Sequence, residues 1–398
     1  MEPYSLYLHI PFCVHRCAYC DFNTYAGLTT LTTDYARALC QEAAFLVRMA
    51  GERLPVHTIF FGGGTPSLMP LAEMETVWQA LAQAFDLQPG LEATLEANPG
   101  TASLDTLRGL RRLGFNRLSL GMQSARVGEL RLLERVHNVP DVIQAVSWAR
   151  QAGFEQLNLD LIFGLPGQDM ASWQATLEFT LALRPEHLSL YALTLEPGTP
   201  MHAWVGRGLL PEPDPDLAAE MYEFASARLE AAGFAQYEIS NWAKRDASGA
   251  ISACRHNLQY WRCQPYLGLG AGAHGYAKGL RIANVLRPES YIQRMAQGDA
   301  TAAGLAFPRS PAIEEVQVIN RTAEMGEVMM MGLRLVQEGV SARGFADRFG
   351  QSLEQTYGPV IRRLIEQGLL EWAGAQGDTL RLTVHGRLLG NRVFMEFI

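Results

Sequence analysis

Residues 13–20 read Cys-Val-His-Arg-Cys-Ala-Tyr-Cys, a C-x3-C-x2-C array. Three thiolates this close in sequence can wrap one face of a compact iron–sulfur cluster, whereas electron-transfer clusters are normally held by four. Asp21-Phe22-Asn23 follows, so a fourth cysteine is missing at the next useful position. Three ligands leave one iron open, and an open metal position is where a substrate or cofactor binds. S-adenosylmethionine suits it, because its amino and carboxylate groups can chelate iron while the sulfonium lies beside the cluster. One electron then cleaves a C–S bond, giving radical chemistry that the cofactor supplies and the protein positions. The bland alternatives are ordinary buried thiols and a structural zinc completed by His9 or His15, although zinc sites more often carry paired C-x2-C ligands.

The other residues able to do chemistry fall at regular places in the chain. Short runs rich in β-branched and aromatic residues occur at 4–10, 56–61, 91–97, 117–121, 157–163 and 188–193. Stretches such as 34–49, 71–85, 103–113 and 142–152 carry apolar residues every three or four positions, the period of an amphipathic helix. A strand–helix alternation repeated six times calls for a parallel sheet with helices outside, open or curled into a barrel. Reactive groups in such sheets gather beyond the carboxyl ends of the strands. The cysteines follow the first strand, Gly62-Gly63-Gly64-Thr65 the second and Gln123 the fourth, while Glu96 closes the third and Asp160 lies in the fifth. All five can converge on one edge. The glycine run offers backbone N–H groups to a carboxylate, or serves only as a tight turn.

Composition narrows the class. Apolar residues make up 48% and charged residues 19% of 398 residues, a globular balance that is too long for one ordinary core. We therefore expect three parts: 1–235 as the barrel with its cluster, 236–307 as a connecting region, and 308–398 as a smaller domain. A net charge of -8 disfavours nucleic acid, whose backbone attracts dense Lys/Arg surfaces. No apolar run approaches the ~20 residues of a membrane helix, and the first residues lack a signal-peptide pattern, so a cytoplasmic protein is expected. Six cysteines are too few for a disulfide framework. The last part shows helical periodicity at 323–337, 342–349 and 353–367, then short strands at 370–372 and 380–383, which suggests a winged-helix-like packing module.

The stretches Tyr7-Leu8-His9-Ile10-Pro11-Phe12-Cys13, Cys20-Asp21-Phe22, Glu96-Ala97-Asn98-Pro99 and Asp160-Leu161-Ile162-Phe163-Gly164-Leu165-Pro166-Gly167 together resemble the radical S-adenosylmethionine superfamily. Within it they resemble the branch of oxygen-independent coproporphyrinogen III oxidases and HemW-type heme chaperones. The resemblance implies an α/β fold: a radical-SAM partial (β/α)6 barrel with a smaller helical, winged-helix-like C-terminal domain. It implies a [4Fe–4S] cluster on Cys13, Cys17 and Cys20, and an S-adenosylmethionine pocket of Tyr7, Tyr19, Gly63, Gly64, Thr65, Glu96, Gln123, Arg135 and Asp160. The oxidase branch carries a further cysteine where Phe22 stands, and a longer arm before the cluster than the 12 residues found here. The chaperone branch carries His-Asn-x-x-Tyr-Trp, matched by His256-Asn257-Leu258-Gln259-Tyr260-Trp261. His256 becomes the candidate heme ligand, with a core histidine as its plain alternative, and His274 in a glycine-rich turn borders the cofactor or serves the loop. The expected cargo is heme, passed to heme-accepting proteins, those of the respiratory chain among the candidates. Peripheral membrane contact and a homodimer are left open, as is decarboxylation of coproporphyrinogen III.

Overall fold

Alternation in Tyr4–Ile10 (β1) buries Leu6, Leu8 and Ile10 completely on one face and turns Ser5, Tyr7 and His9 to the other, as the two-residue period of a strand requires. The structure, a computed structural model, describes residues 3–298 and 304–398. Five more strands follow: Pro55–Gly63 (β2), Asp86–Ala97 (β3), Arg117–Gln123 (β4), Gln156–Phe163 (β5) and His187–Ala192 (β6). Each pairs in parallel with its predecessor. Helices Thr32–Ala50 (α1), Leu71–Ala84 (α2), Leu104–Leu113 (α3), Val127–Leu132 (α4), Val139–Gln151 (α5) and Met170–Ala182 (α6) fill the crossovers. Their starts are fixed locally. Ser103 and Asp169 accept from the backbone N–H three residues on, and Asn138 forms a capping box with Asp141, satisfying donors that a helix leaves open. This is the (β/α)6 order expected from the sequence.

Two compact units divide the chain differently from the expected boundaries. One comprises 1–225 and 265–317, the other 226–264 and 318–398. The expected connecting region 236–307 is therefore split, and the reason is strand pairing. Tyr266–Leu269 (β7) lies parallel to β1, with Tyr7 opposite Gly268, and His274–Ala277 (β8) and Leu280–Asn284 (β9) extend that side antiparallel. What reads as a glycine-rich turn is half sheet. Its glycines answer to close approach: a Cβ on Gly268 would stand 1.9 Å from the His274 carbonyl oxygen.

In the second unit, Phe234–Glu238 and Asn241–Lys244 form a hairpin, followed by the short helix Arg255–Trp261. Helices Arg321–Gly332, Ala342–Phe349 and Leu353–Glu366 stand with a three-stranded sheet of Val340–Ser341, Thr379–Leu382 and Leu370–Ala373. Met329, Leu333, Phe345, Phe349, Ile361 and Leu380 share its core. This is the winged-helix-like arrangement expected. The first of these helices ends at Gly332 rather than 337. No helix among the described residues is long and apolar enough to cross a membrane.

Candidate functional site

The loop after β1 is held from both sides. Phe12–Cys13 pairs in parallel with Tyr25–Ala26, and the Tyr25 N–H donates to the Pro11 carbonyl at 2.8 Å. Ala18, wholly buried, packs with Leu133, Ile162, Leu165 and Met201, and its backbone bonds to Leu133 and Met201. These anchors set Cys13, Cys17 and Cys20 around one cavity of about 370 Å3.

His9 fixes the far end of the loop. Its Nε2–H donates to the Asn23 carbonyl at 2.9 Å, which leaves Nδ1 to accept from the Tyr7 hydroxyl at 3.0 Å. His15 faces Glu134 at 3.4 Å. Both imidazoles put forward as a fourth zinc ligand are thus engaged elsewhere, and among the described residues no three His, Cys, Asp or Glu side chains are close enough to hold one ion in common. Burial pushes the Cys13 and Cys20 thiols up, with the neighbouring cysteines adding to the shift. Such thiols bind as thiolates only where a metal's positive charge compensates.

Seven of the nine expected cofactor residues line the same cavity: Tyr19, Gly63, Gly64, Glu96, Gln123, Arg135 and Asp160. Tyr7 and Thr65 stand behind the wall. The Tyr7 ring stacks on Phe60 with centroids 6.2 Å apart, and of the two tyrosines Tyr19 is the one that lines the cavity. Thr65 is 2% exposed and its hydroxyl points at Cys13 Sγ, 3.7 Å away. Gln123 holds a left-handed backbone, φ 65°, a conformation that costs a non-glycine residue strain and that recurs at functional sites.

The glycine run is also engaged within the fold. Gly64 N–H donates to the Ile10 carbonyl and Thr65 N–H to the Phe12 carbonyl, both at 2.8 Å, while Gly63 N–H meets Glu96 Oε2 at 3.1 Å. Its donors already hold the cysteine loop and a carboxyl of the site. A Cβ at Gly63, where φ is +109°, would fall 2.4 Å from the His9 ring, and one at Gly64 2.7 Å from the Phe12 carbonyl oxygen. Absence of side chains lets β2 approach the cluster loop.

Two carboxyls lie deep in the cavity. Burial, then the nearby Asp160, pushes Glu96 up to about 8. Burial likewise raises Asp160, against donation from Ser119 at 2.9 Å and Asn158 at 2.8 Å. Arg135 supplies the cation: Nη1 donates to Cys17 Sγ at 3.4 Å and Nη2 to the Gly121 carbonyl at 2.8 Å. Three thiols, a guanidinium that reaches Cys17 and two buried carboxyls around one cavity fit a cluster whose open iron faces a cofactor with an amino group and a carboxylate. Sequence reasoning assigned no role to Ser119, Asn158 or Asn98. Ser119 and Asn158 share the interior faces of β4 and β5 with Gly121 and Asp160, so strand alternation was the available signal.

His256 lies in the second unit, 2% exposed, with Nε2 and the Tyr260 hydroxyl 2.9 Å apart. Asn257 donates to the Tyr237 hydroxyl at 3.2 Å, and Arg334 lies 5.0 Å from the Trp261 ring and 4.8 Å from Phe394. His256 and Gln259 are buried, with Asn257, Tyr260 and Trp261 half-buried beside them. His274 opens β8 and is not among the residues lining the cavity.

The family models agree with this division: residues 7–180 match the Radical SAM superfamily and 319–389 the HemN C-terminal domain. The site and fold thus define a radical-SAM protein carrying a HemN-type C-terminal domain, a class that implies a [4Fe–4S] cluster and S-adenosylmethionine. The fold is that of the radical-SAM coproporphyrinogen III oxidase HemN from Escherichia coli, at TM-score 0.82 and 24% identity over 99% of this chain and 90% of that one. In sequence the chain is 37% identical to the heme chaperone HemW of Bacillus subtilis over 99% of both chains. It is also 38% identical to the mitochondrial radical S-adenosyl methionine domain-containing protein 1 of Bos taurus, over 96% of this chain and 88% of that one. The chain belongs to the HemW family.

Proposed function

We propose that this protein is a cytosolic heme chaperone: it binds heme and passes it to hemoproteins, with a [4Fe–4S] cluster on Cys13, Cys17 and Cys20 and S-adenosylmethionine in the adjoining cavity. Full-length kinship with a heme chaperone carries the reading. Phe22, 62% exposed at the cavity wall, supports it, since the oxidase branch carries a cysteine at that place. When bound, the cluster and S-adenosylmethionine supply one-electron C–S cleavage. The chain's own residues orient the cofactor: Arg135 toward its carboxylate, Glu96 toward its amino group, Asp160 toward its ribose, and Tyr19 against adenine.

His256 is the heme ligand of this proposal, and its bond to Tyr260 has to open before the imidazole can reach iron. Tyr260→Phe, which removes that bond, should then tighten heme binding, while His256→Ala should weaken it about tenfold or more. Both are read by anaerobic absorption titration of cluster-reconstituted protein. The oxidase reading is tested by incubation with coproporphyrinogen III, S-adenosylmethionine and a reductant. Heme uptake without protoporphyrinogen formation is expected. Turnover of the porphyrinogen would replace the chaperone reading, and unchanged heme affinity in both variants would remove His256 from the site.

A further inference from the structure

Asn98 stands between Thr65 and Arg135 and bonds to both. It follows β3 two residues after Glu96 and lines the cavity wall. Its amide Nδ2 donates to Thr65 Oγ1 at 2.9 Å, and the Thr65 hydroxyl donates in turn to Cys13 Sγ at 3.7 Å. Its carbonyl Oδ1 accepts from Arg135 Nη2, while Arg135 Nη1 donates to Cys17 Sγ at 3.4 Å. Gly121 keeps this crossing open: a Cβ there would lie 3.0 Å from Asn98 Oδ1 and 3.1 Å from Arg135 Nη2.

We propose that Asn98 is a positioning residue that ties the thiols of Cys13 and Cys17 to the guanidinium of the cofactor pocket, through Thr65 on one arm and Arg135 on the other. The inference rests on the cluster-and-cofactor reading of the cavity. An asparagine side chain is suited to the place, because it offers a donor on one atom and an acceptor on its neighbour. A donated amide hydrogen leaves the Thr65 hydroxyl only its own hydrogen to direct, and Cys13 Sγ receives it. Hydrogen bonds to cluster sulfurs stabilise the reduced, more negative state and raise the reduction potential. On the other arm, the guanidinium held by Asn98 Oδ1 and the Gly121 carbonyl is preorganised for a carboxylate.

Substitutions separate the arms. Asn98→Asp keeps an acceptor for Arg135 but gives no donor to Thr65, whose hydroxyl then turns toward the new carboxylate. Asn98→Leu removes both arms, and Thr65→Val removes the Cys13 arm without adding charge. The midpoint of the reconstituted cluster is measured by EPR-monitored redox titration without cofactor, and S-adenosylmethionine affinity by calorimetry. All three variants should hold about threefold to tenfold fewer reduced clusters at a fixed solution potential, the size of one hydrogen bond. Asn98→Leu should also bind the cofactor about tenfold more weakly, while Asn98→Asp keeps its affinity. A residue that served only packing would not separate potential from affinity in this way. If Asn98→Leu assembles no cluster, Asn98→Asp and Thr65→Val decide. Wild-type potentials in those variants would overturn the proposal, as would a loss of affinity in Asn98→Asp equal to any loss of potential. If the wild-type protein itself takes up no iron and sulfide, the underlying reading of the cavity has failed instead.

Discussion

A carboxyl buried beside a second carboxyl is a poor anion, and Glu96 is in that position next to Asp160, with its ionisation pushed up to about 8. At neutral pH Glu96 is therefore mostly protonated, and it has to give up that proton to accept from the amino group of an iron-bound cofactor. Binding should strengthen as pH rises from 7 through about 8, by up to about tenfold per unit below that value. The stability of cofactor-free protein runs the other way. An acid whose folded value lies above its unfolded one loses stabilisation as pH climbs from the ordinary carboxylate range toward 8. Glu96→Gln should bind S-adenosylmethionine more weakly with a flat pH profile, and should lose less stability across the same range. Calorimetric titration at pH 6.5, 7.5 and 8.5 checks the first. A wild-type profile in the variant would take Glu96 out of the binding site. None of this depth was legible in the sequence, which put Glu96 at a strand end but not how far burial would raise it.

At the scale of elements, the strands of the barrel side were legible because each alternates or runs apolar between clear breaks. β1 spans 4–10 as expected, and β4 and β5 extend the expected runs by only one or two residues. The site's location followed, since five groups sat at equivalent strand ends. The purpose of the glycine run did not follow, because one pattern of residues serves a ligand cradle and a close crossing equally well. Distance shows the close crossing here. Gly63→Ala drives a Cβ against the His9 ring at a positive φ, and His9 carries the Asn23 end of the cysteine loop. It should cost about 3 kcal/mol or more and sharply lower iron and sulfide content after reconstitution. Gly51→Ala, at φ +74° where nothing lies within 4 Å of the added atom, should cost about 1 kcal/mol and leave cluster content unchanged. Equal metal content in the two variants would mean that the crossing does not hold the loop.

On the scale of the whole molecule, sequence order misled where late residues return to early ones. β7 pairs with β1 across more than 250 positions, and no local signal announces such pairing. The return is locked by one buried carboxyl. Glu42 of α1, 1% exposed, accepts from Gly270 N–H at 2.9 Å, Asn284 Nδ2 at 3.0 Å, Tyr291 Oη at 2.7 Å and Ser310 Oγ at 2.7 Å. Tyr35, about two helical turns earlier, donates to the His9 carbonyl at 2.8 Å and accepts from Ala271 N–H at 2.7 Å. The late segment therefore bears on the backbone that leads into the cluster loop. Removing the carboxyl strands four buried donors at once, each costly without a partner. Glu42→Ala should lose about 3–5 kcal/mol, visible as a fall of about 10 °C in melting temperature, and should retain less cluster than Glu42→Gln, which keeps one acceptor oxygen. Because Glu42 touches neither thiol nor cavity, a drop in cluster content there would come through the returning strands alone. Wild-type melting in Glu42→Ala would mean that strand pairing holds the segment without it.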